Sequence, residues 1–116
     1  MSTEAGARAE RAAEEFLKSR GWRILERNYR TRLGEIDLVA RDGDTVVFVE
    51  VRARSSTAFG TPQETVTREK RRRLVRTAQA YAQSRRLDVP LRFDVVAFSP
   101  EGTLHIPGAF EATEFQ

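Results

Sequence analysis

The stretch GEIDLVARDGDTVVFVEVRAR, residues 34–54, places acids and bases inside runs whose other members are apolar. Asp37 and Glu50 interrupt segments that otherwise read as buried strand, and a carboxylate withdrawn from water there is costly unless something compensates it. The two runs flank Asp42-Gly43, a dipeptide favoured in two-residue hairpin loops. With those residues as the loop, Arg41 pairs with Asp44, Asp37 falls opposite Phe48 and Glu35 falls opposite Glu50. Asp37 and Glu50 are then diagonal cross-strand neighbours, about 7–8 Å apart at their backbones, near enough for both carboxylates to reach one cation.

In this register Ile36, Leu38, Ala40, Val47, Val49 and Val51 share a wholly apolar face. The other face carries Val39, Val46 and Phe48 near the turn, and Glu35, Asp37, Glu50 and Arg52 at the far end. Like charges set opposite one another destabilise a strand pair, so the acids require either neighbouring bases such as Arg52 or a metal ion. With no cysteine and a single histidine, the oxygen donors suit Mg²⁺ or Mn²⁺ rather than zinc. Spacing alone leaves two accounts standing: a cation site, or an ion-pair network closing the end of the sheet.

The elements that must position these residues follow from periodicity. A chain of 116 residues is long enough for one core, and residues 1–116 read as a single domain. Ala9, Ala12, Ala13, Phe16 and Leu17 recur at helical spacing and Gly21 follows as a stop, predicting a helix from about Ala5 to Arg20. Residues 22–30 read as a first strand, 34–41 and 45–53 as the hairpin, and 91–98 as a fourth strand. Between the last two, Val66, Leu74, Val75, Ala78, Tyr81 and Ala82 trace one face of a long helix from about Thr65 to Arg86. TLHI is a short edge-strand candidate, and the tail from about 107 carries no clear pattern. The order αβββαβ predicts an α/β sandwich with a central mixed sheet.

The formal charge is +3, but arginine heavily outnumbers lysine and the cations cluster in REKRRRLVR, residues 68–76. The absence of cysteine removes disulfides and thiolate metal sites and fits a reducing compartment. The amino-terminal residues lack a signal-peptide pattern, and the longest strictly apolar run, Val46 to Val49, is too short to span a bilayer. The expected location is cytoplasmic, with no membrane partner.

Asp37, a hairpin and then Glu50-Val51-Arg52 resemble the PD-(D/E)xK nuclease motif. More narrowly, GEIDLVARDGDTVVFVEVR, FGTPQETVTREK and RFDVVAF, in that order, resemble the YraN (UPF0102) family, over nearly the whole span from Ala9 to about Ile106. That resemblance implies a restriction-endonuclease-like fold, near the archaeal Holliday junction resolvases, and a metal-dependent nuclease. Carried over position by position, it implies Asp37 and Glu50 as metal-binding acids and the Val51 backbone carbonyl as a further ligand. Such an ion would polarise the scissile phosphate and activate water. Related resolvases place an acid on the first helix, where Glu10 is the match, and Glu35 is a further candidate ligand.

Arg52 departs from the motif, which ends in lysine. A guanidinium supplies charge and hydrogen bonds but is effectively never deprotonated. Lys70 is a candidate replacement, because it stands four residues before Leu74 and points toward the apolar side of the second helix; the competing account is a solvated lysine. Arg68, Arg72 and Arg76 form a stripe along that helix, with Arg71 and Arg73 beside it, which suits nucleic-acid phosphates or, equally simply, a solvated face. Phe59, Gly60 and Gln63 could border the site. Asp94 is a neighbouring acid or a partner of Arg92, His105 is read as structural or solvated, and Trp22 as a core residue.

Two function classes result. The first is an Mg²⁺- or Mn²⁺-dependent nuclease hydrolysing phosphodiester bonds in DNA, at branched or repair structures, with a homodimer implied by the need to cut two strands. The second is a nucleic-acid-binding or assembly module on the same fold, in which the acids are structural.

Overall fold

The computed structural model describes residues 4–54 and 66–115. Helix α1, Glu4–Ser19, buries Ala9, Ala13 and Leu17 at intervals of four residues, with Glu4 in its first turn and Lys18 in its last, matching the sign of the helix dipole at both ends. It stops at Gly21, whose φ of +85° allows the Gly21 N–H to donate to the Lys18 carbonyl and the Trp22 N–H to the Leu17 carbonyl. That pair of bonds is a Schellman cap.

Five strands follow around a second helix: β1 Arg23–Thr31, β2 Gly34–Asp42, β3 Thr45–Ala53, helix α2 Arg68–Ser84, β4 Leu91–Ser99 and β5 Gly102–Phe110, then a 3₁₀ turn, Ala112–Phe115. They form one sheet in the order β1-β2-β3-β4-β5. All neighbours are antiparallel except β3 and β4, which run parallel. A parallel pair needs a crossover, and α2 lies within it. The predicted αβββαβ order and mixed sheet are present, with β5 added at the edge.

The helices cover opposite faces. Ala13 and Leu17 of α1 pack with Trp22, Leu38, Val47 and Val49. Leu74, Val75 and Tyr81 of α2 pack with Val46, Phe48 and Phe93. Strand β3 is therefore buried from both sides, which explains why Val46 to Val49 form an unbroken apolar run. Among the described residues no helix is long and apolar enough to cross a membrane.

Four expectations need correction. The hairpin loop is Gly43-Asp44, because Asp42 pairs with Thr45 and Arg41 with Val46. Gly43 adopts φ +60° at the first loop position, the type II′ pattern, instead of the Asp42-Gly43 type I′ loop. The register moves by two residues, so inward and outward positions are conserved while Asp37 comes level with Glu50 rather than Phe48. Second, Ile36 belongs to the α2-side core and not to the face of Leu38. Third, α2 begins at Arg68, where Thr67 Oγ1 accepts a bond from the Lys70 N–H at 3.2 Å, so Val66 is buried ahead of the helix rather than within it. Fourth, β5 is a full strand rather than a short TLHI segment, and Ala112, beyond it, packs on the α2-side core. Pro107 is tolerated because β5 lies at the sheet edge. Phe59, Gly60 and Gln63 lie outside the described residues.

The start of β2 is set against α2 at Gly34. A Cβ there would lie 2.9 Å from Thr77 Oγ1 and 3.3 Å from Arg73 Cβ, and the Thr77 hydroxyl is fixed by donating to the Arg73 carbonyl at 2.8 Å. Gly34→Ala is expected to lower the unfolding free energy by about 1–3 kcal/mol, the range for forcing a methyl into a packed site. Urea denaturation checks it, and an unchanged midpoint would contradict the close approach.

Candidate functional site

The β2–β3 ladder runs from Asp42↔Thr45 to Leu38↔Val49. One step further along the same register lie Asp37 and Glu50, where a side chain takes over from the backbone: Asp37 Oδ2 accepts a hydrogen bond from the Val51 N–H at 2.8 Å. In an extended strand the N–H and C=O of one residue lie along the same edge. The Val51 carbonyl therefore faces the β2 side, where the ladder has ended.

Glu50 is 5% exposed and its Oε1 lies 3.0 Å from Lys70 Nζ, so the expectation that Lys70 points inward from α2 describes its position. Asp37 has its pKa raised from 3.8 to about 7. Burial is the main cause and the charge of Glu50 the second; the Val51 N–H and Lys70 oppose them. Two carboxylates thus share one ammonium, and at neutral pH the pair retains a proton for part of the time.

An open cleft of about 560 Å³ has these groups in its wall, and Glu10, Glu35 and Arg52 line it as well. Glu10 enters the cleft wall from α1. Glu35 does not face Glu50 as expected; it pairs across β1 with Arg30, whose Nη2 is 3.3 Å from Glu35 Oε1. Among the described residues, no group of three or more His, Cys, Asp or Glu side chains is placed to hold one ion. Asp37 and Glu50 thus stand as a pair, with Glu10 and Glu35 on the cleft wall rather than in a common cluster with them.

The arginine stripe divides. Arg72 is held by Glu69 through bonds of 3.1 and 2.7 Å, an exposed pair of small net value that can exchange for a phosphate. Arg71 Nε donates to the Val66 carbonyl at 3.0 Å and its guanidinium lies near the Phe110 ring, which gives it a structural task at the start of α2. Arg68 and Arg76 are exposed. Arg73, read as lying beside the stripe, lines the cleft, and its three-residue spacing from Lys70 puts both on the same helix side.

Asp94 is no part of this site. It is fully buried, accepts from Arg92 Nε at 2.8 Å, lies 2.7 Å from His105 Nε2 and accepts from the Gly108 N–H at 3.0 Å. His105 also packs edge-on against Trp22, so of the two readings left open for His105 the structure shows the structural one, and Trp22 lies in the core as expected.

The donor set fits a hard divalent cation. Two carboxylate side chains and a backbone carbonyl beyond the last β2–β3 pair are oxygen ligands of the type Mg²⁺ and Mn²⁺ take, with water completing the shell. Burial first and the Glu50 charge second raise the Asp37 pKa, and a cation beside the pair would offset both costs.

Residues 9–98 match the family described as "Uncharacterised protein family UPF0102", and the chain belongs to that family. UPF0102 proteins of Alkaliphilus oremlandii and Persephonella marina are 52% and 42% identical, covering 83% and 91% of this chain and 85% and 92% of their own. The UPF0102 protein STH1475 of Symbiobacterium thermophilum is 48% identical over 97% of this chain and all of its own. The crystal structure of SSO0001 superposes with a TM-score of 0.46 at 15% identity, over 96% of this chain and 54% of that one, a similarity too low to carry an argument.

Because Asp37 ionises near 3.8 when unfolded and at about 7 when folded, its charge opposes folding; the cost is absent below the first value and complete above the second. Asp37→Asn is expected to raise the unfolding free energy at pH 8 by about 1–3 kcal/mol, and by much less at pH 4. Urea titrations at the two pH values check this; an equal change at both, or a loss at pH 8, would contradict the strained pair.

Proposed function

We propose that this protein is a metal-dependent nuclease that hydrolyses phosphodiester bonds in DNA. The observation that carries the reading is the convergence of Asp37 and Glu50 at the end of the β2–β3 ladder, with a surplus of negative charge held beside an open cleft. Asp37, Glu50 and the Val51 carbonyl would hold Mg²⁺ or Mn²⁺. Once bound, such an ion supplies Lewis acidity toward a phosphate oxygen and an activated water.

The chain's own groups define the rest. Lys70 fixes the Glu50 carboxylate through the 3.0 Å ion pair and presents an ammonium to the cleft. Arg52 and Arg73, both on the cleft wall, supply positive charge where a phosphodiester would lie, and neither can serve as a base because a guanidinium keeps its proton. Lys70 is the residue there able to do both. Arg68, Arg72 and Arg76 extend the positive surface along α2 for flanking phosphates. The resemblance of Asp37 and Glu50-Val51-Arg52 to the PD-(D/E)xK pattern supports the same assignment, and cutting both strands of a branched substrate would call for two copies of the chain.

The Lys70–Glu50 ion pair favours a second reading, a nucleic-acid-binding module in which that pair is structural. Incubating linear, nicked and branched DNA with Mn²⁺ separates the two. Glu50→Gln is expected to reduce cleavage by about 100-fold or more, since even a group that only supports a metal ligand is worth ~10–100-fold. Cleavage that survives the substitution would refute the assignment, and DNA binding without cleavage in the unaltered protein would establish the second reading.

A further inference from the structure

Asn28 has φ +51°, in the left-handed region that costs most residues free energy and that asparagine tolerates better than others. It stands in β1 directly across from Asp37, because the register pairs Arg27 with Leu38 and Tyr29 with Ile36. Regular strands alternate their faces, so residues two apart should point the same way. Here they do not. Arg27 reaches Glu14 on α1, with Nε 2.6 Å from Oε1, whereas the Tyr29 ring packs edge-on against Tyr81 on α2 at 5.0 Å. Across the pair the same reversal occurs: Leu38 belongs to the α1-side core and Ile36 to the α2-side core. Both strands thus lose alternation at one level of the sheet, and that level is Asn28 and Asp37.

The consequence falls on Asp37. At the reversal its carboxylate turns toward β3, where it takes the Val51 N–H and meets Glu50. We infer that Asn28 is a positioning residue: its left-handed backbone drives the paired reversal that turns Asp37 out of the sheet's regular faces and into line with Glu50. Local irregularities of this kind next to functional sites re-aim side chains, and strain held in a backbone dihedral is maintained by the surrounding packing. The functional meaning of this device rests on the proposed metal site; the conformational part does not.

The test uses Asn28→Gly, which keeps the left-handed conformation accessible, Asn28→Val, which disfavours it, and Asn28→Ala as a milder form should the valine variant fold poorly. The first readout is the Val51 amide in a ¹⁵N correlation spectrum without metal, because its shift reports the bond to Asp37. The glycine variant is expected to keep the shift of the unaltered protein, and the valine and alanine variants to lose it. The second readout is Mn²⁺ affinity, expected within about threefold of normal for glycine and reduced by about 10–100-fold for valine, the range for disturbing a group that orients a ligand. A valine or alanine variant with an unaltered Val51 amide would overturn the inference, as would a glycine variant that loses the shift equally. An unaltered protein that binds no Mn²⁺ would sink the metal site alone, with the amide still deciding the role of Asn28.

Discussion

Two carboxylates that repel one another, held side by side in partial burial, are the constraint around which this molecule is organised. Asp37 and Glu50 would separate if the chain let them, since like charges on neighbouring strands are destabilising and burial sharpens the repulsion. The fold prevents it. The antiparallel ladder of β2 and β3 brings the two to the same level, the Val51 N–H ties down one, and Lys70 ties down the other. Burial raises the pKa of Asp37, the charge of Glu50 raises it further, and the Val51 N–H and Lys70 together do not offset the two. Sites that store an electrostatic cost of this kind are where functional groups tend to be found.

The rest of the architecture supplies rigidity to that cost. β3 is buried on both faces from Val46 to Glu50, which fixes the strand as far as the site. α1 brings Glu10 to one wall of the cleft, and α2 brings Lys70 and Arg73 to the other. The approach of α2 to β2 is close because Gly34 has no side chain to hold it off. Asp94, by contrast, is an acid whose charge is answered by Arg92 and whose remaining bonds go to the His105 ring and the Gly108 amide. The comparison separates a structural carboxylate held by three groups from Asp37, whose pKa stays raised despite the Val51 N–H and Lys70.

Much of this is legible in the sequence, for identifiable reasons. β3 can be read to its ends because Val46 to Val49 are uninterrupted and turn residues bound them. Lys70 can be read as inward because Leu74, one turn on, is a core residue. The membership in the UPF0102 family is visible in three ordered blocks. The hairpin register is not legible, since the tract Asp42-Gly43-Asp44 offers the loop two positions, and a two-residue slip leaves every apolar residue on its own face. Ile36 is misplaced by periodicity because periodicity assumes alternation, and Asn28 interrupts it on the neighbouring strand. The length of β5 is masked by Pro107 and by exposed positions that an edge strand permits.

We propose that Asp37 and Glu50 form one cation site in which a proton on the pair gives way to the ion. Calorimetric titration with Mn²⁺ at pH 7, repeated in buffers of different ionisation enthalpy, measures the protons released per ion bound. With an Asp37 pKa of about 7, roughly half a proton should leave for each ion, and more at pH 6 than at pH 8. Binding of Mn²⁺ with no proton released at any of these pH values would contradict the account.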